Sequence, residues 1–332
     1  MTEQHPESAE PTEADTRAFS IQDQAMEQRV NVLTILALAL AILLLCGCSG
    51  LKHYTVNRLG DTLAAGGAGY GGDDDPELIR QAAPFSLKLM ENVLAESPSH
   101  GPLLTAAAAG FTQFAYAYVQ QDADELEASD LTGARALRRR AVALYRRAQA
   151  YGLRALSSRH EDFETLLRTA PDAALAGLDR NDLPALYWST VPLAATIALS
   201  KDDPRTIAQL PLLERLVARL RQLDEDYDHG ALHGFLISYA MSRPGERHPE
   251  GEARRHFAAA IRLGGDERAA PYVTLAETVS VATGNRREFG YLLNRAAAMP
   301  PPRTHPEWRL EHELMQRRAR WLLSQTDRLF LD

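Results

Sequence analysis

The chain has 332 residues and a formal charge of −8, from 36 Lys and Arg against 44 Asp and Glu. With no basic excess to match a phosphate backbone, nucleic acid is excluded as a partner. Both cysteines, Cys46 and Cys48, sit together near the start, so the body that follows has no thiol for a disulfide, a nucleophile or a zinc cluster.

Residues 1–30 carry seven carboxylates against Arg17 and Arg29, a net −5. An export signal normally opens with the opposite sign. Starting at Met26 gives Met-Glu-Gln-Arg-Val-Asn ahead of an apolar run. Residues 1–25 are therefore expected to be a non-native extension or a disordered leader, and 26–47 a signal peptide. The run itself, Val32 to Cys46, is fifteen residues broken only by Thr34. It is shorter than the ~20 residues of a spanning helix, though an uncleaved anchor is the other reading. It ends in Leu45-Cys46-Gly47-Cys48-Ser49, which resembles a bacterial lipobox, with Cys48 as the lipidated first residue of the mature chain. Removing the net −5 of residues 1–30 leaves the mature chain near −3, with 285 residues to build a core. Acyl chains at ~0.8 kcal/mol per buried CH₂ would hold it at a membrane surface facing a Gram-negative periplasm. Ser49 in place of Asp points to the outer membrane.

The lipidated cysteine and a Gly-rich stretch, Gly66 to Gly72, make residues 48–75 a tether. The glycines lack the Gly-Lys-Ser/Thr ending of a phosphate loop. Residues 76–332 then read as one all-α domain. Asp75, Pro76 and Glu77 open it as N-cap, N1 proline and first-turn carboxylate. Phe85, Leu89 and Val93 mark the first helix, ending near Ser97-Pro98. Leu103 to Val119 is apolar nearly all round, as in a buried central helix. Asp122 to Asp130 reads as an exposed acidic loop. Over Ala134 to Tyr151, Leu137, Ala141, Leu144, Ala148 and Tyr151 share a face opposite Arg135, Arg138, Arg139 and Arg146. No segment reads as a strand.

Two stretches follow the tetratricopeptide habit of small residues flanking an aromatic: Ala253-x3-Phe257-x2-Ala260 and Ala141-x3-Tyr145-x2-Ala148. Leu232, Phe235 and Tyr239 stand where the first helix of such a repeat needs them. The glycine expected after Phe235 is Leu236, and the loop to Ala253 is long, so the repeats are degenerate. The architecture expected is a set of irregular tetratricopeptide-like hairpins stacked into one curved body.

His229 and His233, at i and i+4, would share a helical face. Zinc needs a third ligand, and no His-Glu-x-x-His pattern is present, so no metal is assigned. Tyr187 and Trp188 precede Pro192, which should kink its helix and free a carbonyl beside the aromatic pair; core packing and ligand contact are both open. With 33 Arg and 3 Lys, arginine is the default cation, so the clusters at Arg138–Arg140 and Arg317–Arg320 read as solvated faces. There is no Gly-x-Ser-x-Gly elbow, and the chain does not read as an enzyme or call for a cofactor.

Several blocks together resemble the TRAP transporter T-component family, periplasmic tetratricopeptide lipoproteins called TatT. They are Asn57-Arg58-Leu59-Gly60-Asp61, DDDPELIRQAAPFSLKLMENVLAESP (73–98), GFTQFAYAYVQ (110–120), RRAQAYGLRAL (146–156), ALYWSTVP (185–192), DEDYDHGALHGFLISYA (224–240), ARRHFAAAI (253–261) and RRARWLLSQTDRLF (317–330). The resemblance implies an all-α lipoprotein that forms a homotrimer and binds the periplasmic substrate-binding P subunit of a TRAP transporter. It also implies a pore or cavity that carries a small hydrophobic ligand. Tyr116, Tyr187, Trp188, His233 and Phe235 are the candidate lining residues, by aromatic or amphipathic chemistry next to kinks and helix starts. The alternative is a scaffold for another envelope complex, without ligand.

Overall fold

A computed structural model describes residues 26, 28–29, 31–36, 56–65, 70–243 and 245–330. Cys48 and its lipobox, the leader before Met26 and residues 66–69 lie outside the described residues. The chain divides into two units, Met1–Val56 and Asn57–Asp332. In the first, residues 31–36 are helical and exposed. The second is all-helical, with no strand among the described residues, as expected.

Its elements follow from local chemistry. A short helix α1 covers residues 56–65. Asp75 caps α2 (Pro76–Glu96), its Oδ1 accepting from the amides of Glu77 and Leu78 at 3.0 Å. His100 caps α3 (Gly101–Phe114) through Nδ1, which accepts from the Leu103 amide at 3.2 Å. The helix does not stop at Phe114: it continues through a π turn (Ala115–Gln120) into α4 (Gln121–Leu126). Asp130 caps α5 (Leu131–Ser157). Short helices α6 (Phe163–Thr169) and α7 (Pro171–Ala176) lead into α8 (Leu183–Leu199), and α9 (Pro204–Ile207) into α10 (Leu210–Asp224). Then come α11 (Tyr227–Ser242), α12 (Pro249–Leu263), and α13 (Ala270–Leu275) with a second π turn (Ala276–Ser280). The last three are α14 (Arg286–Ala297), α15 (Arg309–Ser324) and α16 (Thr326–Leu329).

Helices α11 and α12 pair as a hairpin, as do α14 and α15, while α5 lies between α3 and α8. The small residues of the repeat pattern explain these contacts. Ala141, Tyr145 and Ala148 are buried on α5, and Ala253 and Ala260 on α12. Gly152 lets α5 approach α8 so closely that a Cβ there would come within 3.0 Å of the Ser189 amide nitrogen and the Trp188 carbonyl. That carbonyl is the one Pro192 deprives of its i+4 donor. Leucines fill the remaining core. Leu216, Leu220, Leu232 and Leu236 are at most 2 % exposed, each contributing about 1.5–3 kcal/mol by burial.

Three expectations fail in detail. Phe85 is 73 % exposed and Leu89 half-buried, while Val93 is in the core; the rest of the buried stripe of α2 is Ile79, Ala83, Leu87, Met90 and Leu94. Leu137 and Leu144 of α5 are half-buried, and the small residues take the core face. The acidic stretch after Val119 begins as helix α4, not as a loop. Its carboxylates bind the arginines that looked solvated. Asp122 takes a bidentate pair from Arg80 (2.6 and 3.0 Å), and Asp124 binds Arg138 (3.2 Å) and Arg318 (3.0 Å). Arg317 reaches Asp122 and Glu125 at 3.4 and 3.3 Å. Through these pairs, and through packing of α15 on α2, the body curves until its last long helix meets its first.

Candidate functional site

Helices α3, α8 and α11 carry apolar residues on nearly every side. The reason is that one face of each joins the core and another lines a cavity of about 1280 Å³. Small side chains make the room: Ala106, Ala109 and Gly110 on α3, Ala194, Ala195 and Ala198 on α8, Ala231 and Gly234 on α11. A Cβ added at Gly234 would meet nothing within 4 Å.

Aromatic side chains give this space its chemistry. Tyr116, Tyr187, Trp188 and Phe235, from three different helical segments, all line it. Tyr187 packs edge-on against Trp188 with centroids 5.0 Å apart and leans on Tyr227 at 5.4 Å. Burial pushes the phenols of Tyr116 and Tyr187 up, so both stay neutral hydrogen-bond donors. Tyr145, also on the wall, donates to Gln120 Oε1 at 2.7 Å. His233, the fifth candidate, is placed elsewhere: it faces α12, with its Nδ1 2.9 Å from that of His256.

Both π turns line the cavity, where such turns re-aim side chains. The first presents Tyr116 and Tyr118. The second presents Glu277, whose carboxyl burial pushes up, while Arg318 at 3.0 Å offsets part of that cost. Arg268 lies on another part of the wall. Its guanidinium sits 4.8 Å over the Trp308 ring and forks onto Glu311 at 3.1 and 2.5 Å. Burial opposes its charge, but Glu311 and Asp228 outweigh that and hold it protonated. Arg268 and Glu277 flank α13, while Trp308 and Glu311 open α15, so about 30 residues of sequence separate the two pairs and no short spacing could have grouped them.

The start of α11 overturns the shared face proposed for His229 and His233. Asp228 (φ 50°, ψ 58°), His229 (φ 52°, ψ 35°) and Gly230 (φ 87°, ψ 14°) are left-handed in succession. Helical spacing therefore does not hold across them. His229 turns to His305 and Trp308, with centroids at 4.4 and 5.7 Å. Left-handed backbone costs of order 1–3 kcal/mol at each non-glycine residue and clusters at functional sites. Asp228 and Gly230 both line the cavity. Among the described residues, Glu225, His233 and His256 form a group with metal-ligand spacing. Burial, reinforced by His233 and Arg221, pulls the His256 imidazole down to about 4.

No helix among the described residues is long and apolar enough to cross a membrane. An uncharacterized protein of Treponema pallidum (strain Nichols) is similar to this chain. The two are 27% identical over 318 residues, covering 89% of this chain and 97% of that protein. The profile of a family described as TRAP transporter T-component matches residues 72–330, a span that takes in every helix of the body from α2 onward. With that match across its all-helical body, the chain belongs to the TRAP transporter T-component family.

Proposed function

We propose that the protein is a non-enzymatic accessory subunit of a TRAP-type transporter, and that its cavity holds a small hydrophobic ligand which it passes to the periplasmic P subunit. The single observation that carries this reading is the cavity. At about 1280 Å³ it exceeds the roughly 300–1,000 Å³ usual for small-molecule sites, and its wall is mostly apolar, with alanine and aromatic rings prominent in it. Tyr116, Tyr187, Trp188 and Phe235 are proposed as ligand contacts. Neutral phenols beside apolar surface suit a ligand with a long apolar body and a polar end. His233 is not among the contacts, since it does not line this space.

The rest of the proposal concerns assembly and place. Cys48, lipidated after cleavage of residues 26–47, anchors the chain to the outer membrane on its periplasmic side. The subunit works as a homotrimer bound to the P subunit. Support for assembly comes from α2, which shows Leu78 (55 % exposed) and Phe85 (73 % exposed) seven residues apart on one face. To test carriage, the protein is purified from its native envelope and sprayed intact for mass spectrometry. The proposal expects an apolar small molecule in each chain and a P subunit in the same pull-down. An empty cavity with the P subunit present would leave only a scaffold role, and absence of any P subunit would defeat the transporter reading.

A further inference from the structure

His233 and His256 lie inside the α11–α12 hairpin, 5 % and 6 % exposed, with their Nδ1 atoms 2.9 Å apart. The second ring nitrogen of His233, Nε2, lies 3.2 Å from Asp226 Oδ1. An ionised carboxylate only accepts, so Nε2 carries the proton and Nδ1 turns a bare lone pair toward His256. A carboxylate oxygen of Glu225 completes a set of three ligand atoms that all lie within 4.8 Å of one another. Arg221 Nε donates to Oε1 of that carboxylate at 2.8 Å, which orients it and leaves Oε2 for another partner.

We propose that Glu225, His233 and His256 form a binding site for a divalent transition-metal ion of the zinc class, with a water molecule as fourth ligand. Two imidazoles and one carboxylate are the donor set of Zn²⁺; Ca²⁺ and Mg²⁺ take oxygen ligands. Zn–N bonds of about 2.0–2.1 Å place two tetrahedral nitrogens about 3.3 Å apart. The rings need to part by only a few tenths of an ångström from 2.9 Å. Two neutral rings alone would need one Nδ1 to donate to the other. A bound ion instead takes both lone pairs, and the His256 proton sits on Nε2. Asp226 then plays the part of the carboxylate that backs a metal-bound histidine, fixing its tautomer and raising its basicity. Solvent reaches the site through a surface cleft of about 80 Å³ that His256 lines with Glu246 and Glu252.

The ion would tie the end of α10, through Glu225, to α11 and α12. The segment so pinned contains the left-handed Asp228–His229–Gly230 turn, which forms part of the cavity wall. The three ligands themselves do not line the cavity, so the site is independent of the ligand reading.

The test uses the full chain, stripped with EDTA and titrated with zinc sulfate by calorimetry, with native mass spectrometry for stoichiometry. The expected result is one Zn²⁺ per chain and a higher melting temperature on loading. Asp226→Asn should weaken binding by about 10–100-fold. His256→Gln and Glu225→Gln should each weaken it by about tenfold or more, with circular dichroism confirming the fold. Because His256 is buried, Glu225→Gln, on a side chain 42% exposed, carries the test should the histidine variant not fold. No stoichiometric uptake by the wild type, or wild-type affinity in any of the three variants that folds, would overturn the proposal.

Discussion

Replacing Gly152 by alanine tests whether the contact between α5 and α8 is as tight as the geometry says. In a free helix the change would favour α5 by about 1 kcal/mol, since glycine loses the most backbone freedom on folding. Here the new methyl would press on the Ser189 hydroxyl and come within 3.0 Å of the Ser189 nitrogen and the Trp188 oxygen. The hydroxyl, which donates to the Ala185 carbonyl at 2.7 Å, can rotate away. The two backbone atoms cannot, and ordinary contact starts near 3.4 Å. The helices must therefore part by a few tenths of an ångström along a packed seam. Overpacking of this kind costs about 1–3 kcal/mol, so against the helix gain the net effect expected is a loss of up to about 2 kcal/mol. For a body of this size that is a fall of up to about 4 °C in melting temperature. Gly234→Ala is the matched control: the same helix-forming gain, with no atom within 4 Å of the new methyl. It should gain about 0.5–1 kcal/mol. Urea titration followed by far-UV circular dichroism reads both variants, with the slope of each transition unchanged. If Gly152→Ala gains as much stability as Gly234→Ala, the contact between α5 and α8 is looser than the geometry says.

Three further outcomes follow from the same structure. Arg318→Ala should cost about 3 kcal/mol in thermal or urea unfolding, because it removes a nearly buried guanidinium and leaves Glu277 on the cavity wall without its partner; the double variant Arg318→Met with Glu277→Gln should recover much of that loss. Arg254, forking onto Glu288 at 2.5 and 3.0 Å, and the Ser280 hydroxyl hold the Glu288 carboxyl below its usual range. A depressed carboxyl stabilises the fold above its unfolded value, near pH 4.5, and loses that contribution as pH falls through the folded value. Glu288→Gln should thus cost about 1–2 kcal/mol at pH 7, with the difference from wild type closing in acid on a pH series of unfolding curves. Phe85→Glu should leave the melting temperature of the body nearly unchanged, within about 0.5 kcal/mol, yet lower the assembled mass seen by light scattering.

Most of the fold was legible because helices announce themselves by caps and period. Asp75-Pro76-Glu77 marked the start of α2 to the residue, and the alanine–aromatic–alanine spacing found the buried faces of α5 and α12. The cavity was legible in part: Tyr116, Tyr187, Trp188 and Phe235 stand out as aromatics near breaks in apolar helices. The failures share a cause. Phe85 counts as core on hydrophobicity alone, but it stands with Leu78 on the outward face of α2. The carboxylates of α4 and the arginines of α5 and α15 each read as solvated, since their pairing spans up to 195 residues of sequence. His229 and His233 obey helical spacing only where φ and ψ are helical, and three left-handed residues remove that condition.

The space between α3, α8 and α11 is proposed to accept an apolar molecule. The most direct measurement of this is titration of the protein with an uncharged naphthylamine fluorophore, comparing wild type with a Gly234→Trp/Ala195→Trp variant whose new rings project into the cavity. The expected result is saturable, blue-shifted binding at one site per wild-type chain, weakened about tenfold or more in the filled variant while its melting temperature holds. Binding that never saturates, or that both proteins share equally, would contradict it.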